Sequence, residues 1–148
     1  MQQLKSILSG RKSVDLFSIE YKSMNSSEKI TAPLKLRCQD FVSVYDKTST
    51  KLTVKVTRNL KFDPEALFQL SISYLIHHYV KDEFLEKVDW ESYDLDNEIT
   101  NDCDYFAGIG TETVSLLIGQ ITSSFGRVPI ITNPLLNLNP KKDPELRP

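Results

Sequence analysis

The feature that most constrains this chain is a run of near-strict alternation: Phe68, Leu70, Ile72, Tyr74 and Ile76 are separated by Gln69, Ser71, Ser73 and Leu75. A strand sends successive side chains to opposite faces, so a period of two over this length predicts a central strand. Shorter runs repeat the pattern. Phe17, Ile19 and Tyr21 share one parity, and Leu52, Val54 and Val56 alternate with Thr53, Lys55 and Thr57. The run Phe41 to Tyr45 is joined to the latter by Asp46 to Thr50, a polar stretch of hairpin length. No long helical crossover separates these segments, so four antiparallel strands in meander order are expected.

After residue 110 the period changes. Val114, Leu117, Ile118, Ile121 and Phe125 recur at helical spacing and predict an amphipathic helix over 111–125, with Glu112 at its positive end and Gly126 as its stop. The segment Val128 to Leu136 holds Pro129 and Pro134, which forbid a helix, so it must run over the sheet or beside the helix. The expected fold class is therefore α+β, a four-stranded antiparallel meander sheet covered by one long amphipathic helix. It occupies residues 1–136 as a single domain. Residues 137–148 carry three prolines and five charges and are expected to form a disordered tail.

Charge narrows the function classes. Eighteen Lys and Arg against twenty Asp and Glu leave a net charge of −2, with no basic excess to hold a nucleic acid. The distribution is uneven. Lys81 to Asp104 holds ten acidic residues against Lys81 and Lys87, a local −8, so the rest of the chain sums to +6. Its Phe84, Trp90 and Tyr93, with Tyr105 and Phe106 directly after it, imply that part of this segment packs. No stretch approaches the roughly 18 uninterrupted apolar residues of a membrane span, and Met1 to Arg11 lacks the layout of a signal peptide. A cytoplasmic protein with no membrane contact is expected. Cys38 and Cys103 stand far apart without a CxxC, which argues against a disulfide scaffold or zinc knuckle.

The residues that could carry chemistry are few. His77 and His78 are adjacent on a strand and point to opposite faces, so they cannot share a metal. Cys103 sits between Asp102 and Asp104, whose charges raise a thiol pKa. Asp94 and Asp96 read as surface charges, and Gly108-Ile-Gly110 lacks the third Gly or the Lys of a phosphate-binding loop. The expectation is no enzyme, no catalytic residue, no metal and no cofactor.

Two stretches carry a resemblance to a known family. The strand Phe68-Gln-Leu-Ser-Ile-Ser-Tyr74, and the helix with its exit, Leu117-Ile-Gly-Gln-Ile-Thr-Ser-Ser-Phe125-Gly-Arg-Val-Pro129-Ile-Ile, resemble the SecB family of export chaperones over about residues 14 to 136. The similarity is thin across Lys81 to Gly110. It implies an ATP-independent holdase for unfolded or nascent polypeptide, in protein export or in toxin-antitoxin control. It also implies a homo-oligomer, a tetramer built as a dimer of dimers. The helix is expected to carry association through Leu117, Ile118 and Ile121. A peptide groove is expected between the central strand and the helix with its exit, lined by Phe68, Leu70, Tyr74, Phe125, Ile130 and Ile131. Family members dock the motor SecA through a basic Cys- and His-bearing tail or through acidic residues on the sheet face. The tail here contains neither Cys nor His. Tyr74, Leu75 and Ile76 stand where the family favours glycines, which predicts a more continuous strand. A second reading of the same residues is a small acidic interaction protein, immunity- or antitoxin-like, that neutralises one basic partner through Lys81 to Asp104.

Overall fold

The structure is a computed structural model of the chain and describes residues 3–24, 35–63, 66–124 and 128–138. Four long strands form one sheet: β1 (Leu8–Met24), β2 (Lys35–Lys47), β3 (Lys51–Asp63) and β4 (Leu67–Val80). All pairings are antiparallel. The spatial order is β1-β4-β3-β2, a Greek-key arrangement rather than the expected meander. β2, β3 and β4 follow one another, but β1 pairs with β4 instead of β2. The reason lies in β4 itself. The most apolar strand needs a hydrogen-bonded neighbour on each side, and β1 supplies the second.

Even-numbered positions of β3 and β4 face inward. Leu52, Val54, Val56, Leu60 and Phe62 meet Phe68, Leu70, Ile72, Tyr74 and Ile76 in one buried layer. β1 departs from its predicted phase. A bulge between Leu16 and Ser18 leaves Phe17 unpaired, so Leu16 lies opposite Tyr74 and Ile19 opposite Ile72 on the inner face. Phe17 points to the outer face, where its ring lies near Tyr45 and under Lys55 Nζ. Phe17, Ile19 and Tyr21 therefore do not share a face. The extra residue resets the period.

The inner layer is covered by several short helices and not by one long one. α1 (Leu4–Ile7) buries Leu4 and Ile7. α2 (Leu95–Asn101) buries Leu95 and Ile99, and α3 (Cys103–Ala107) buries Phe106 and Ala107. α4 runs Thr111–Ser123, two residues shorter than the 111–125 expected, and Phe125 and Gly126 lie outside the described residues. Its buried face includes Val114 and Ile118, which join the core. The acidic segment is partly structural. Asp94 caps α2 by accepting from Asn97 N, Asp102 pairs with Lys5 at 2.5 Å, and Trp90 Nε1 donates to Thr48 O.

Candidate peptide-binding groove

The C-terminal extended segment determines the shape of the candidate site. Residues 128–138 run beside α4 along a polar seam that the apolar stripe did not reveal. Ser115 Oγ donates to Thr132 O at 2.5 Å, and Thr122 Oγ1 accepts from Ile130 N at 2.8 Å. A Cβ at Gly119 would lie 3.6 Å from Ile131 Cδ1, an ordinary van der Waals contact, so the polar seam and not the glycine sets this approach. The segment then crosses β3 above Arg58. Arg58 is wholly buried and pairs with Asp40 through Nε and Nη2, both at 2.7 Å. Its remaining donors reach Asn133 O at 2.6 Å and Leu135 O at 2.9 Å. Burial alone would lower the Arg58 pKa. The hydrogen bonds and charge of Asp40 outweigh it and hold the guanidinium above its ordinary value.

This clamp delivers Asn137 to the open edge of β2. Asp40 N donates to Asn137 O at 2.8 Å, and Asn137 Nδ2 donates to Cys38 O at 3.1 Å. Of the tail expected over 137–148, residues 139–148 lie outside the described residues. Asn137 pairs with the edge at Asp40, and Leu138, the last described residue, lines the space beside it. By strand alternation the backbone groups of Val42 and Val44 point the same way as those of Asp40, to the side where no further strand lies among the described residues. A cleft of about 320 Å³ opens there. Phe41, Val42, Ile99, Cys103 and Leu138 give it apolar walls, and Ser43, Asp96 and Thr100 add polar groups. An unpaired strand edge with apolar walls can take an extended backbone as an added strand while remaining tolerant of its sequence.

The predicted groove residues are distributed differently. Phe68, Leu70 and Tyr74 are buried within the single chain, because the even face of β4 forms its core. Burial pushes the Tyr74 phenol up to about 12. Ile130 is half-buried beside α4 and Ile131 is exposed. Phe125 lies outside the described residues. Of the helix residues expected to carry association, Ile118 is wholly buried, and Leu117 and Ile121 are half-buried. Leu116 is the exposed one, at 67%. On the inner face of β1, Leu16 (57%), Ile19 and Tyr21 (48%) are also exposed.

The residues weighed for chemistry are placed as follows. His77 lies on the outer face with Nδ1 2.8 Å from Thr53 Oγ1 and Nε2 2.9 Å from Asp15 Oδ2. His78 lies on the inner face, and its Nε2 donates to Phe106 O at 2.8 Å. The two rings occupy opposite sides of the sheet. Burial, and then Asp104, Asp40 and Asp102, push the Cys103 thiol pKa up, which favours the unreactive protonated form. Among the described residues no cluster of three metal-ligating side chains occurs, and no helix is long and apolar enough to cross a membrane.

The sequence reading missed the β2 edge. Its signals were Leu95, Ile99 and Cys103 in the acidic segment and Phe106 just after it, at helical spacing, and Asp40 at an inward position of β2.

Comparison with known proteins places this geometry in a fold. No family model matches the chain, and no curated protein sequence does. A solved structure of the SecB-like chaperone Rv1957 of Mycobacterium tuberculosis, in complex with a ChAD peptide from the Rv1956 HigA1 antitoxin, is similar with a TM-score of 0.59 at 11% identity. The match covers 84% of this chain and 91% of that one. The chain has a SecB-like α+β fold, a four-stranded antiparallel sheet covered by helices.

Proposed function

We propose that this protein is an ATP-independent holdase that binds unfolded or extended polypeptide, and that it performs no catalysis. The observation that carries the reading is the cleft beside the β2 edge at Val42, an edge that pairs with no further strand among the described residues, with Leu138 on one wall where Arg58 and Asp40 anchor the chain's own C-terminal segment. The similar SecB-like chaperone was solved holding a peptide from an antitoxin, which supports a polypeptide ligand and a role in toxin-antitoxin control.

The active form is a homo-oligomer, a tetramer by the resemblance. Exposed Leu16, Ile19 and Tyr21 on β1, with Leu116 on α4, supply apolar surface for a second subunit. The protein works in the cytoplasm and needs no cofactor. SecA is not among the partners we propose, because the outer sheet face is rich in lysine where the resemblance calls for acidic residues.

Light scattering of chemically unfolded citrate synthase, diluted into buffer without nucleotide, tests the reading. Wild type should suppress aggregation near stoichiometry, and Val42→Asp should lose most of that activity. Suppression that vanishes in moderate salt and survives Val42→Asp would move binding to the acidic segment, as a single-partner neutralising protein requires.

A further inference from the structure

The outer face of the sheet, opposite the helices, is used by none of the above. Its chemistry is unlike that of the rest of the molecule. Lys55 pairs across the sheet with Leu75 and Ser43, Lys51 with Tyr79, and Lys61 with Gln69, which in turn pairs with Lys22. Among the described residues Lys22, Lys51 and Lys61 have no acidic partner. Of the carboxylates on this face, Asp15 is held by His77 and Asp63 by Arg37, while Glu20 and Asp46 make no ion pair among the described residues; Lys22, Lys51, Lys55 and Lys61 outnumber those two. The free charge is therefore positive, on a chain whose inner cap, 81–104, carries a local −8.

Two bulges add apolar surface to the same face. Phe17 is the extra residue of β1 and Tyr45 the extra residue of β2, at the two edges of the sheet. Their rings meet edge-on over the central strands with centroids 5.4 Å apart, yet remain 44% and 49% exposed. Lys55 Nζ lies 4.7 Å from the Phe17 ring centre. Five to six residues further along the strands, roughly 17–20 Å away at the rise of a β-strand, Lys22 and Lys61 line a hollow of about 330 Å³ with Asn59, Ser71 and Glu20.

We propose that this outer face docks an acidic polypeptide segment bearing aromatic side chains, at a site separate from the β2 groove. The free lysines complement its carboxylates, and the Phe17–Tyr45 pair receives its apolar groups. A protein segment fits better than a nucleic acid. Lys55 covers the Phe17 ring and Tyr45 meets it edge-on, which disfavours stacking of a base, and a long polyanion would run into the acidic cap.

The test uses a random Glu–Tyr copolymer (4:1) as probe, with the full chain and fluorescence anisotropy at low salt. Wild type should bind it, and binding should weaken at least about tenfold in Lys22→Glu/Lys61→Glu and severalfold in Phe17→Ala. All three substitutions lie on exposed side chains, and circular dichroism melting checks that each variant is folded. Val42→Asp should bind the copolymer like wild type. Failure of wild type to bind would overturn the proposal, as would unchanged binding in the lysine variant. Equal affinity for oligothymidylate with the same lysine dependence would assign the face to nucleic acid and overturn it too. Self-association of the chain lost in the same lysine variant would assign the face to a second copy, with the same consequence.

Discussion

Arg58 and Asp40 face each other directly across β3 and β2, both at inward positions, and both are wholly buried except for the hydrogen bonds they make. The pair interrupts an apolar layer to anchor residues 132–137. Breaking a buried pair by removing one partner strands the other charge and typically costs about 3–5 kcal/mol. Arg58→Met and Asp40→Asn should each lose stability on that scale in urea unfolding. The double variant Arg58→Met/Asp40→Leu should lose much less than the sum, because no charge is left alone. Additive losses would mean the two residues act independently.

Gly110 starts α4 with φ +96°, and a Cβ there would lie 3.1 Å from the Tyr74 ring and 3.3 Å from Val14. Gly10 has a similar φ of +84° but nothing within 4 Å. Both Ala variants are strained by the backbone, and only one meets a neighbour. Gly110→Ala should cost more than Gly10→Ala, by about 1 kcal/mol or more. Equal losses in thermal unfolding would show that the contact with Tyr74 is relieved without cost.

Burial pushes His78 below its ordinary value of 6.5, against the Phe106 carbonyl, which favours the protonated ring; Lys12 and His77 lower it further. The unfolded imidazole takes up its proton near 6.5, whereas the folded one resists. The contribution of His78 is therefore complete above that pH and is lost as pH falls through the folded value. Urea midpoints should drop between pH 7 and pH 5 in wild type. In His78→Gln, where the amide can still donate to Phe106, the drop should be smaller. Identical slopes would remove His78 from the linkage.

α4 separates packing from association. Ile118 is wholly buried in the single chain, so Ile118→Asp should unfold it at a cost of several kcal/mol. Leu116→Asp changes an exposed residue and should leave unfolding unaltered while shifting sedimentation from oligomer to monomer. A Leu116→Asp protein that sediments like wild type would place the subunit contact on β1 alone.

Where local physics decides the structure, the sequence was readable. The period-two runs located β4 and the hairpin between β2 and β3, and the change to helical spacing located the start of α4. It was not readable where a single residue changes the phase. The bulge at Phe17 turns Ile19 and Tyr21 to the opposite face from that residue, and no residue type marks it. Charged Arg58 in β3 and Asp40 in β2 made two strands look shorter than they are, because an inward charge resembles a break in alternation until its partner is known. The groove depended on that pairing. Its position follows from where Arg58 holds Leu135 and Asp40 holds Asn137, a contact between distant parts of the chain.

Amide hydrogen exchange of the full chain with and without reduced, carboxymethylated α-lactalbumin, a permanently unfolded client, tests the central claim most directly. An added strand on the β2 edge would protect the amides of Val42 and Val44, slowing their exchange at least about tenfold, and leave residues 81–94 unchanged. Protection confined to residues 81–94, with Val42 and Val44 exchanging as in the free protein, would contradict it.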